Sequence, residues 1–122
     1  MQTVVQVWCT KGKSLRSSIA DNRHLMDYGF VLIRQKQPDR KPGWTKIRST
    51  RDGRQGVLNL EWDPNTAILT CRVVNKGGGR PNEIVGDFAA YLLKHHRKRI
   101  KLLAIVPCFP LMNPVCDHKA LA

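Results

Sequence analysis

Residues 57–75 read VLNLEWDPNTAILTCRVVN, and this stretch leaves little choice of fold. Leu58, Leu60 and Trp62 alternate with Asn59 and Glu61, the two-residue period of a strand with one face turned inward. Residues 63–66, DPNT, form a turn signal with proline at the second position, where its fixed φ fits. AILTCRVVN at 67–75 is rich in β-branched and apolar residues and returns as another strand. A hairpin needs a sheet around it, and the rest of the chain offers one.

TVVQVWC at 3–9 reads as a strand buried on both faces. YGFVLIRQK at 28–36 and WTKIRST at 44–50 read as two more. Between them lies QPDRKPG, a loop, because Pro38 and Pro42 hold their predecessors extended and Gly43 permits unusual dihedrals. RDGRQG at 51–56 turns again. Residues 13–27 are mixed, although Leu15 and Ile19, four apart, allow a short helix.

After Asn75 the period changes. Pro81 suits the first turn of a helix, and Glu83 suits its positive end. Ile84, Val85, Phe88, Ala89 and Leu92 share one helical face. The basic run Lys94–Lys101 suits the negative end of a helix over 81–98. Gly86 inside that helix costs ~1 kcal/mol relative to alanine, and a close helix–sheet contact would account for it. IKLLAIVP at 100–107 is then a last strand. A strand–helix–strand unit sets its two strands parallel, directly or with another between, with a right-handed crossover. The expected fold is therefore α+β: a mostly antiparallel sheet of five to six strands, one principal helix packed on one face, and a C-terminal strand. Residues 1–107 read as a single domain and 108–122 as a proline-containing extension.

Charge is the unusual quantity. The chain carries 21 Lys and Arg against 9 Asp and Glu, a formal +12. Such an excess attracts polyanions, so DNA or RNA is the expected partner. No apolar run approaches the ~18–20 residues of a membrane span. The start of the chain reads as a strand rather than an export signal, which places the protein in the reducing cytoplasm. The four cysteines are expected as thiols, with Cys9 and Cys71 packed in strands.

The cations fall in two groups. Arg34, Lys36, Arg40, Lys41, Lys46, Arg48, Arg51 and Arg54 surround Trp44. Strand alternation sends Trp44, Lys46 and Arg48 to one side and Thr45 and Ile47 to the other. Lysine and arginine neutralise phosphates, and an exposed indole stacks on bases. The competing reading puts Trp44 in the core and leaves the charges solvated. The second group is Arg97, Lys98, Arg99 and Lys101, next to His95 and His96; adjacent histidines diverge by ~100° on a helix and cannot easily share a metal. The two groups could line one groove. Between strand and helix, Gly77, Gly78, Gly79 and Arg80 either cradle an anion at the helix start or serve as a flexible joint; their spacing matches neither the P-loop nor the dinucleotide fingerprint.

Catalytic signals are thin. Glu61 and Asp63, with Asp52 or Asp87, could hold a divalent metal. Cys108, Cys116 and His118 lack a paired zinc spacing, and Ser17, Ser18 and His24 suggest no triad. The sequence thus points to a small basic nucleic-acid-binding protein that contacts mainly phosphate and needs no cofactor or metal. The alternatives are a metal-dependent enzyme acting on a phosphate-bearing substrate, and a structural protein that meets an acidic partner.

Overall fold

The computed structural model describes residues 2–36, 44–51, 56–75 and 81–108. Six strands alternate with two helices in the order β1 (Gln2–Cys9), α1 (Leu15–Asp21), β2 (Phe30–Lys36), β3 (Trp44–Ser49), β4 (Gly56–Asp63), β5 (Ile68–Asn75), α2 (Pro81–His95) and β6 (Ile100–Cys108). They build one sheet with strand order β2-β3-β4-β5-β1-β6, in which every neighbouring pair is antiparallel. The fold is α+β, as the sequence predicts. β5 and β6 run parallel with β1 between them, and α2 makes the crossover.

The 63–66 turn forms for the reasons read in its sequence. Asp63 Oδ1 accepts the Asn65 N–H at 2.9 Å, and the Ala67 N–H closes the turn onto the Asp63 carbonyl at 2.8 Å. The pairing that follows sets Leu58 against Val73 and Leu60 against Cys71 on one face.

That face carries the core. Val5, Val7, Leu58, Leu60, Leu69, Cys71 and Val73 meet Leu15 and Ile19 of α1 and Ile84, Phe88, Tyr91 and Leu92 of α2. α1 lies over β3 and β4, and α2 over β5 and β1. Phe88 meets Phe30 edge-on, with ring centroids 5.9 Å apart. Fully burying a side chain of this size contributes about 1.5–3 kcal/mol, which is why these apolar positions fix the register.

Residues 13–27 contain the short helix that Leu15 and Ile19 allow: α1 is capped by Ser14, whose Oγ accepts the Ser17 N–H at 3.2 Å. Three local expectations are corrected. A 3-10 helix, Arg23–Tyr28, follows, so β2 begins at Phe30 rather than at residue 28. That 3-10 helix ends at Gly29 with φ 80°, a left-handed position where a methyl group would also lie 2.6 Å from Arg51 Nε. Helix α2 stops at His95: His96 leaves helical geometry with φ −132° and ψ 15°, and Arg97–Arg99 form a separate 3-10 turn. Gly86 needs no close contact: it is exposed, and a Cβ there would meet nothing within 4 Å. Its cost to the helix is not offset by packing.

Candidate nucleic-acid interface

The helices all pack on one face of the sheet, which leaves the other face to the alternate residues of each strand. On β3 the inward residues Thr45, Ile47 and Ser49 are buried, while Trp44 and Lys46 are half-buried and Arg48 is exposed. Trp44 is therefore not one of the fully buried core side chains. Cross-strand register extends the group. Arg48 lies between Val31 of β2 and Val57 of β4. Lys46 lies between positions Arg34 and Asn59, and Trp44 opposite Lys36. Asn59 in turn pairs with Arg72 of β5. Positions 34, 46, 59 and 72 thus form a row across four strands, ~14 Å wide at ~4.8 Å per strand.

The row is not uniformly open. Arg72 and its β1 neighbour Val4 are buried, and Arg72 Nε sits 4.0 Å from Glu61 Oε1. Available positive charge lies toward β3. Glu61 faces a guanidinium and Asp63 caps its turn, so both carboxylates already have structural work. Among the described residues no group of three His, Cys, Asp or Glu side chains could hold a metal ion.

Other cations of the sequence groups are placed differently. Arg51 leaves the strand and reaches the helix layer: its Nη1 donates to Asp87 Oδ1 at 2.9 Å, and Asp87 is mostly buried. Arg99 donates through Nε to Thr10 Oγ1 at 3.0 Å and through Nη2 to the carbonyls of Thr10 and Lys13 at 3.1 and 2.8 Å. It ties the β1–α1 connection to the start of β6. Arg97 Nε donates to the Leu93 carbonyl at 3.2 Å, and Lys98 and Lys101 are exposed. Arg97 and Lys98 close the helix layer, whereas Lys46 and Arg48 occupy the opposite face. The sheet lies between them, so one groove does not hold Arg97 and Lys98 together with Lys46 and Arg48. Arg40, Lys41, Arg54 and the 77–80 loop (Gly77, Gly78, Gly79, Arg80) lie outside the described residues, as do the side chains of Arg34 and Lys36.

The structure also gathers rings that sequence spacing did not connect. His24, from the 3-10 helix, stacks on His95 of α2 with centroids 4.8 Å apart and planes within 8°. Asp27 Oδ2 lies 3.0 Å from His24 Nδ1. His95 also meets Tyr28 and Tyr91, and Tyr91 Oη lies 2.8 Å from His96 Nε2. His95 and His96 both meet Tyr91, His95 through its ring and His96 through its Nε2, while His95 alone also stacks on His24. Burial pushes the His96 pKa down, helped by His95 and Arg99, and burial pushes that of Tyr91 up. The only sequence signal for this cluster is Asp27 three residues after His24.

Cys9 and Cys71 are buried and unpaired. Burial raises both thiol pKa values, that of Cys9 against the opposing pull of Arg99 and that of Cys71 with a further push from Cys9. They pack as protonated thiols rather than nucleophiles. Among the described residues no helix is long and apolar enough to cross a membrane. No described protein family, no curated protein and no solved structure matches this chain.

Proposed function

We propose that the protein binds nucleic acid, mainly through phosphate, on the outer face of the sheet at β2 and β3. One observation carries the reading: the alternation of β3 sets Trp44, Lys46 and Arg48 on the face opposite the helices, in register with Arg34 and Lys36. Successive outer residues of a strand stand ~6.8 Å apart, so Lys46 and Arg48 can meet separate phosphates. The half-buried indole beside Lys46 offers a surface on which a base can stack. The formal +12 supplies long-range attraction.

The test is a salt titration with single- and double-stranded DNA and RNA. Each phosphate contact contributes a log–log slope of ~0.7–0.9. Arg48→Ala should make that slope shallower by about one contact, with the thermal melt unchanged. Arg99→Ala should leave the slope where it is, because its guanidinium is engaged with Thr10 and Lys13. A folded protein that binds no nucleic acid at low salt would sink the reading and leave an acidic protein as the partner to seek.

A further inference from the structure

The helix layer thins out toward the β2 edge of the sheet. α1 lies over β3 and β4, and β2 has the 3-10 helix Arg23–Tyr28 beside it. Between that helix, the end of α1 and β2 lies an open cleft of about 330 Å³. Its floor is apolar: Leu25 and Phe30 line it, and both are buried. Met26 and Leu32 line it too, and they remain 67% and 41% exposed. Apolar side chains left in water around a cavity mark a place where a ligand can cover them. Small-ligand sites span ~300–1,000 Å³, and a cleft at the small end of that range suits one base-sized ring system. The charged groups on its lining are one of each sign, Asp21 from the last turn of α1 and Arg23 from the start of the 3-10 helix. Among the described residues neither enters an ion pair.

The cleft lies next to the cations of the outer face. Val31 lines it, and Val31 is the cross-strand partner of Arg48. Opposed Cα atoms of an antiparallel pair stand ~4.5–5.5 Å apart, so Arg48 rises from the outer face one strand away from the cleft. A single strand with a phosphate on Arg48 can turn an adjacent base over the β2 edge and into it.

We infer that the cleft takes one unpaired base of a bound single strand, and that this base is guanine. The inference rests on the proposed nucleic-acid function and names what that binding recognises. The two charged groups select the base. A carboxylate only accepts hydrogen bonds, and guanine alone among the standard bases sets two donors side by side on its Watson–Crick edge, N1–H and the N2 amino group. They match the two oxygens of Asp21. A guanidinium only donates, and guanine offers Arg23 its acceptors O6 and N7. Adenine and cytosine present a carboxylate with a single amino group, and uracil and thymine with a single N–H. Met26, Leu32 and the buried floor meet the faces of the ring, the usual apolar setting for a base held outside a stack. The edge that Asp21 reads is free only where the base is unpaired.

Fluorescence anisotropy with short oligouridylates, with and without one central guanosine, tests it. The guanosine should strengthen binding by on the order of tenfold, the effect of one bidentate base contact. The salt slope should not change, because the number of phosphates is the same. Inosine in its place lacks the N2 amino group and should lose most of the gain. Asp21→Ala and Arg23→Ala should each erase the preference and leave binding of the plain oligouridylate near the parent's. Both positions are exposed, so their thermal melts should match the parent. The same guanosine placed in a duplex should add nothing. Free guanosine monophosphate, with its single phosphate, should compete only at far higher concentration than the oligomer. Equal binding with and without guanosine overturns the inference and leaves the phosphate reading standing, whereas a protein that binds none of the oligomers at low salt overturns both. A preference that survives both alanine variants also overturns it, as does a free nucleotide that binds as tightly as the strand. If a variant melts early, the parent chain decides: an inosine strand bound as tightly as the guanosine strand rules out the Asp21 contact.

Discussion

The two faces of the sheet come from the same strands and do opposite things with them. On the helix side, every strand from β1 to β5 contributes buried apolar residues to one continuous core. On the outer side, the alternate positions of β3 and β4 are half-buried or exposed, and those of β3 carry the aromatic and cationic groups. The cations divide in the same way. Lys46 and Arg48 stand on the outer face, whereas Arg51, only three residues beyond Arg48, crosses to Asp87 and the helix layer. Arg99 is likewise held by Thr10 and Lys13. Equal charge in the sequence therefore does not mean equal availability. A cation on a strand interior inherits the face its parity assigns, and a cation at an element's end goes to whatever acceptor lies within reach.

The sharpest way to break this division is on the helix side. Phe88→Ala removes a fully buried ring stacked edge-on against Phe30, and it should cost ~3–5 kcal/mol in chemical denaturation. A melt equal to the parent would dissolve the distinction between a stabilising face and an outer one.

On the outer side the expected losses are in binding. Trp44→Ala should weaken single-strand binding by ~1–3 kcal/mol while leaving the salt slope nearly unchanged. Its stability must be measured alongside, and an early melt would mean that the indole serves the fold instead.

Arg99 and Lys98 make the comparison within one short segment. Arg99→Ala loses three hydrogen bonds, two of them to backbone carbonyls. After allowing for its partial exposure, this should cost ~1–2 kcal/mol. Lys98→Ala, at an exposed position, should stay within about 0.5 kcal/mol of the parent.

Gly86→Ala tests the outer surface of α2. With nothing within 4 Å of the added methyl group, the substitution should stabilise the protein by ~1 kcal/mol in thermal melts. A loss of stability there would mean that the helix surface has a neighbour.

The smallest effect is a pH dependence. Burial lowers the folded-state pKa of His96, while the unfolded chain titrates near the ordinary 6.5. The unfolded state therefore takes up the proton first on acidification. This contribution to stability is complete above that ordinary value and is lost as the pH falls from there through the lowered folded value. His96→Asn should flatten that part of a stability-versus-pH curve. An unaltered curve would assign the acid sensitivity to other groups.

Much of the architecture was legible because it follows from period and punctuation. The alternation in 57–62, the Asp63-Pro64 turn and the apolar run 67–75 fixed a hairpin whose observed pairs, Leu58 with Val73 and Leu60 with Cys71, meet that reading. The helical face of Ile84, Val85, Phe88 and Leu92 is buried as its spacing requires. The parity of Trp44, Lys46 and Arg48 was likewise set by the sequence, since side chains in a strand must alternate. Tertiary structure decided what lies far apart in the chain. It placed β1 between β5 and β6, brought His24 onto His95, and sent Arg51 and Arg99 to acceptors 36 and 89 residues away. It also left Gly86 facing open space. Local periodicity encodes which face a residue takes, because backbone geometry alone imposes it. Which partner an arginine or histidine finds depends on the three-dimensional meeting of segments, and no local spacing carries that information.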